Sequence, residues 1–239
     1  MLKSVLCSFL MSLLLTGCLS LSQRQQQALQ AVADFFGGQI QYKMGVVAST
    51  EASKKNMTGP YAELEIKNSP VIAKFQQLEM PASYAASLFY NALGEAESQQ
   101  YACIRVTILG ENSTNTYNFS TFDLHVVRES APQIAQVVAA LKSQRYAQLE
   151  ASASPEAFSD TARGQLKTIF TKSDTKFGRT LGYQPYGFHL SQDTVKSRPV
   201  LLLRTFGQLK KEKSAGGFCI VTEPGVPATE KYLFGFEAY

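Results

Sequence analysis

Hydrophobic and polar positions divide this chain into segments with two periods. From about Gln23 to Phe36, the apolar residues Leu29, Val32, Ala33 and Phe36 share one helical face. Ser22 and Gln25 form the capping-box pair that opens a helix, and Gly37-Gly38 closes it. The pattern then switches to strict alternation. Ile40, Tyr42, Met44 and Val46 oppose Gln41 and Lys43, and after a polar loop over 49–60, Ala62, Leu64 and Ile66 oppose Glu63, Glu65 and Lys67. These are two half-buried strands suited to a hairpin. A helix is expected from about Pro81 to Glu97, with Tyr84, Leu88, Ala92 and Ala96 in its apolar stripe. Ala102, Ile104, Val106 and Ile108 mark another strand. Alternation of Phe122, Leu124 and Val126 with Asp123 and His125 extends a further strand from Tyr117 to Arg128. A second capping box at Ser130 and Gln133 predicts one helix to about Leu149, carrying Ile134, Val137, Val138 and Leu141.

The segment Glu150–Pro155 combines small and polar residues and is the expected domain boundary. Beyond it, a helix from about Ser159 to Phe177 presents Leu166, Ile169, Phe170 and Phe177. Four β-like runs follow: Leu181–Leu190, Pro199–Gly207, Gly217–Thr222 and Lys231–Tyr239. The expected class is α+β, with two layered helix-on-antiparallel-sheet units over residues 23–150 and 156–239. Helix followed by four-strand meander resembles the cystatin-like and NTF2-like folds in element order, which implies architecture and says nothing of activity.

The first residues change the picture. Lys3 precedes an apolar run from Val5 to Leu15, too short for the roughly 20 apolar residues of a spanning helix. Leu15-Thr16-Gly17-Cys18 follows and resembles the lipobox of bacterial lipoproteins. The resemblance implies cleavage after Gly17 and lipid on Cys18. Residues 1–17 would be the signal and 18–22 a short tether. Leu19 and Ser20 lack the aspartate that often retains such proteins at the inner membrane, which implies an outer-membrane destination. An ordinary cleaved signal or an uncleaved anchor are the other readings of this run.

Composition fits a packed, exported body. Apolar residues make up 45% and charged residues 18%, with net charge +4, one unit of which leaves with Lys3. The basic residues are scattered, so a concentrated nucleic-acid face is absent and no nucleic-acid partner is expected. Cys103 and Cys219 are the cysteines of the mature body; two buried thiols are expected, a disulfide being the alternative.

Candidate chemistry is sparse. His125 shares the expected strand face with Asp123, and Cys103 on a neighbouring strand would complete a cysteine–histidine couple for hydrolysis. The plainer reading is a solvent-facing strand surface. His189, between Phe188 and Leu190, reads as a strand residue, and two dispersed histidines do not suggest a zinc site or any other metal or cofactor. Glu63, Glu65, Glu95 and Glu97 read as solvated faces. Fifteen Phe and eleven Tyr occur without Trp. Tyr183, Tyr186, Phe188, Tyr232, Phe234, Phe236 and Tyr239 crowd the C-terminal sheet, with Phe234 and Phe236 on the face of Tyr232 and Gly235 open to close approach. The leading expectation is a non-enzymatic, lipid-anchored envelope module with an envelope protein partner. Its rivals are a carrier holding a small apolar ligand or peptide in the C-terminal cup, and a Cys103/His125 hydrolase.

Overall fold

The computed structural model describes residues 21–48, 57–110 and 113–238. Cys18 with its lipobox, most of the loop expected over 49–60, and Tyr239 lie outside the described residues. The molecule is α+β, with two four-stranded sheets.

The first helix, α1 (Gln23–Phe36), opens as the capping box requires: Gln25 N–H donates to Ser22 Oγ at 3.0 Å and Ser22 N–H to Gln25 Oε1 at 2.9 Å. Ser22 Oγ also donates to Glu97 Oε2 at 2.8 Å, so the cap docks on the next helix. Ser22→Ala is expected to lower stability by about 1 kcal/mol, read as a shift of the urea midpoint at unchanged slope. Past Gly37, Gly38 stands at φ 76°, where an added Cβ would lie 2.4 Å from Lys67 O, so only glycine fits.

Strands β1 (Gln39–Val47) and β2 (Gly59–Lys67) pair antiparallel as expected, with Tyr42 opposite Leu64. Helix α2 (Glu79–Ser98) then crosses over and delivers β3 (Cys103–Leu109) parallel to β2. Strand β4 (Thr114–Ser120) returns antiparallel, giving the order β1-β2-β3-β4. Leu64, Ile66, Ile104 and Val106 meet Val32 and Phe36 of α1 and Phe89 and Leu93 of α2 in the first core. On the other face, Glu63 and Glu65 are not simply solvated. Thr107 Oγ1 donates to Glu63 at 2.7 Å and Lys43 pairs with Glu65, forming a cross-strand polar ladder.

Three helical expectations are corrected. Tyr84, Leu88 and Ala92 of the expected α2 stripe pack half-buried against the first core, but its fully buried side is Ala82, Ala85, Ala86, Phe89 and Leu93, and Ala96 is exposed. This helix packs on α1, on β3 and on a strand of the second sheet, so one stripe cannot describe it. The strand expected to reach Arg128 ends at Ser120, whose Oγ caps helix α3 (Thr121–Glu129) by accepting from Asp123 N–H at 3.0 Å. That cap outweighs the short alternation of apolar residues. The single helix expected to Leu149 is two, α4 (Ala131–Lys142) and α5 (Tyr146–Ser152), broken where Gln144 takes φ 56°. Ser130 does not cap α4: its Oγ donates to Val126 O at 2.8 Å, and Gln133 Nε2 donates to Glu223 O and Val226 O at 3.0 and 2.6 Å.

Helix α6 (Asp160–Phe177) and strands β5 (Thr180–Val195), β6 (Arg198–Lys211), β7 (Ala215–Thr222) and β8 (Leu233–Ala238) form the expected antiparallel meander. Leu166 and Phe170 of α6 join Leu209, Phe218, Ile220 and Leu233 in the second core. The expectation that Phe234 lies with Phe236 and Tyr232 is corrected. A register shift between Val221 and Thr222 skips Phe234 in the β7–β8 pairing. Phe234 therefore packs with Cys219 and Val221, and Phe236 with Tyr232 in the second core.

The cores exchange residues across the stretch 150–155. Val137, Leu141, Tyr146 and Leu149 of α4 and α5 pack in the second core, whereas Phe188 of β5 and Leu203 of β6 pack in the first. Ser154 N–H donates to Leu233 O at 2.8 Å. Where β5 crosses α2, Phe188 N–H donates to Ser83 Oγ at 2.8 Å, and a Cβ on Gly187 would stand 2.7 Å from Met80 O. Among the described residues, no helix is long and apolar enough to cross a membrane.

Candidate functional site

The crossing of α2 by β5 leaves a trough along α4. Ala131, Ile134, Ala135, Val138, Ala139 and Lys142 recur at three- and four-residue spacing and line one wall over the whole helix. Tyr84, Ser87, Leu88 and Asn91 line the other wall from α2. The floor comes from both strands of the second sheet that reach the first core: Tyr183, Pro185, Gly187 and Phe188 of β5, with Leu203 and Thr205 of β6. The open trough holds about 760 Å³, within the roughly 300–1,000 Å³ of small-molecule sites. Helical rise makes the α4 wall about 18 Å long. Ala131, Ala135 and Ala139 are exposed, and their small side chains keep the trough open.

Some polar groups of the trough have partners within the protein. Tyr183 Oη donates to Thr205 O at 2.7 Å, and Asn91 Nδ2 lies 3.5 Å from Ser87 Oγ. Burial pushes the Tyr84 phenol up, so it stays protonated at neutral pH. The charges at the ends are all positive: Arg128, Lys142 and Arg145 line the trough and no Asp or Glu does. Arg128 is already engaged. Its guanidinium lies 5.0 Å from the Tyr90 ring centroid, with Nε 3.8 Å from Glu129 Oε1 and Nη2 3.0 Å from His125 Nδ1. Arg145 Nε donates to Ser143 Oγ at 2.9 Å, and neither Arg145 nor Lys142 has a carboxylate partner among the described ion pairs.

A second, smaller cleft of about 550 Å³ separates α6 from the second sheet. This is where the aromatic cup was expected. Phe236 meets Phe170 edge-on at 5.1 Å and stacks on Phe218 at 5.6 Å. Ile169 is 53% exposed at the rim, so α6 buries only Leu166 and Phe170 of its expected stripe well. One end is fastened by a buried cluster. Lys211 Nζ lies 2.7 Å from Asp174 Oδ1, Gln144 Nε2 donates to Asp174 Oδ2 at 2.9 Å, and Tyr146 Oη donates to the same oxygen. At Gly235 an added Cβ would meet only Val221, at an ordinary 3.8 Å, so a small group can approach this position.

The candidate catalytic residues are not brought together. Cys103 is fully buried on β3, and burial pushes its thiol up despite the charge of Arg105. His125 is exposed on α3 beside Arg128, and as a helix its segment turns Asp123 to a different direction. None of the described hydrogen bonds joins Cys103 to His125. Cys219 is also a free, buried thiol, pushed up to about 12 by burial, so the two thiols are not a disulfide. His189 Nδ1 lies 4.0 Å from Glu79 Oε1 on the surface. Among the described residues, no group of three or more His, Cys, Asp and Glu is placed to hold a metal.

Sequence reasoning missed the trough. Its signal was a broad apolar face on α4: Val137 and Leu141 are buried in the second core, while Ile134 and Val138 pack half-buried against that core and also line the trough with the alanines. Comparison with known protein families, with curated proteins and with solved structures finds no match for this chain.

Proposed function

We propose that this chain is a lipid-anchored protein of the bacterial envelope, facing the periplasm or cell surface from the outer membrane, that works by binding rather than by catalysis. The observation that carries the binding role is the trough: an open, apolar space walled by α2 and α4 and floored by both connected strands of the second sheet. The burial of Cys103 and its separation from His125 in the hydrogen-bond network speak against nucleophilic hydrolysis. Anchoring at Cys18 would hold the trough near the membrane and raise its effective concentration toward envelope partners. Carriage of an apolar ligand in the α6 cleft is a second reading, favoured by the exposed Ile169 at its rim.

The anchor is tested by the Cys18→Ser variant expressed in a bacterial host. The parent chain is expected in the membrane fraction, with a diacylglyceryl mass at Cys18, and the variant in soluble extract. Recovery of the unmodified parent chain with its leader intact in the cytosol would sink the envelope reading.

A further inference from the structure

We infer that the trough takes the alkyl chain of a single-chain anionic amphiphile, a long-chain carboxylate, with the head held by Lys142 and Arg145. The inference rests on the trough being the binding site and adds its ligand. Charge decides the head. Three cations and no acid line the trough, and only Lys142 and Arg145 lack a carboxylate neighbour among the described residues. Both sit at the same end of α4, in its last turn and just beyond it. The walls decide the tail. An extended peptide would bring a backbone donor and acceptor at nearly every residue. Pro185, Gly187, Phe188 and Leu203 present an apolar floor, and the nearby Tyr183 hydroxyl already donates to Thr205 O. An alkyl chain brings no backbone donor or acceptor of its own to be paired there, and each methylene removed from water favours binding. The about 18 Å of the α4 wall suits an extended acyl chain.

The test uses the full chain carrying Cys18→Ser, so that its own acyl groups do not compete, with dansylundecanoate as fluorescent probe and palmitate or hexadecanol as competitor. Palmitate is expected to displace the probe at lower concentration than the neutral alcohol. Lys142→Gln with Arg145→Gln should weaken palmitate about fivefold, leave hexadecanol unchanged and remove the salt dependence. Ala135→Trp fills the trough from an exposed helix position and should abolish binding of both without changing the melting temperature. Equal displacement by the two competitors, or a double variant with unaltered palmitate binding, overturns the anionic ligand while leaving the trough as a site. Probe binding that survives Ala135→Trp but is lost in Ile169→Lys puts the ligand in the α6 cleft and overturns both. A trough that binds no probe but captures an acidic helical peptide overturns the alkyl ligand and keeps the trough as a site.

Discussion

Replacing Asp174 with Asn is expected to destabilise the folded chain by about 1–3 kcal/mol, the cost of removing the charged partner of a hydrogen-bonded group at a partly buried site. The side chains of Lys211 and Asp174 are only 7% and 9% exposed, and their contact joins α6 to the end of β6. Burial alone would raise the Asp174 carboxyl. Hydrogen bonds from Lys211, Tyr146 and Gln144 outweigh it and hold the carboxyl below its usual range. With Asn in place, the Lys211 ammonium remains buried without a counter-charge. Removing both charges in Asp174→Asn with Lys211→Met should recover most of the loss, because an apolar replacement of a buried pair is often neutral. The pH dependence has a definite sign. A carboxyl whose folded pKa lies below its unfolded value of about 3.9 stabilises fully above that pH, and the contribution disappears as pH falls through the folded value. The gap between parent and Asp174→Asn should therefore be widest near neutrality and narrow below about pH 4. Urea titrations across pH measure it. A single variant that matches the parent at neutral pH would show that the cluster does not hold α6.

Phe188→Ala is expected to cost about 3–5 kcal/mol, the usual range for truncating a buried phenylalanine. Phe188 is 6% exposed, its ring lies 5.9 Å from that of Phe119 on β4, and it forms part of the trough floor. It is carried by the second sheet yet packed in the first core. The loss should therefore appear in one cooperative urea transition for the whole molecule, followed by fluorescence and by circular dichroism together. Two separated transitions, with only the C-terminal sheet destabilised, would show that β5 does not couple the cores. Phe188→Leu keeps much of the volume and should cost less than about 1.5 kcal/mol. Both variants alter the floor on which the proposed alkyl chain lies, so probe affinity should change in the alanine variant even where folding is complete.

Legibility followed the reach of the interactions involved. The Ser22–Gln25 cap, the alternation of β1 and β2 and the C-terminal meander depend on neighbours close in sequence, and each was read from residue order. The run Tyr117–Arg128 misled because a few alternating apolar residues fit either period, and the decisive group was the hydroxyl of Ser120 capping Asp123 N–H. Ser130 and Gln133 misled in the opposite sense. Their spacing is that of a capping box, but the Gln133 amide is drawn to Glu223 O and Val226 O, ninety or more positions away. Phe234 lies on the face opposite to the one its alternation predicts, because one skipped residue in the β7–β8 register inverts the pattern.

By itself the sequence determined the α+β class and the order of most helices and strands, and its Leu15-Thr16-Gly17-Cys18 segment motivates the proposed envelope reading. These are local properties: periodicity, caps, turn residues and a short motif at one end. Only the tertiary structure decided that β5 lies across α2, that the broad apolar face of α4 serves both the second core and the trough, and that Lys142 and Arg145 end an apolar trough. A hydrophobic position in the chain records that a side chain avoids water, not which distant surface removes it from water. That choice is made when the layers pack.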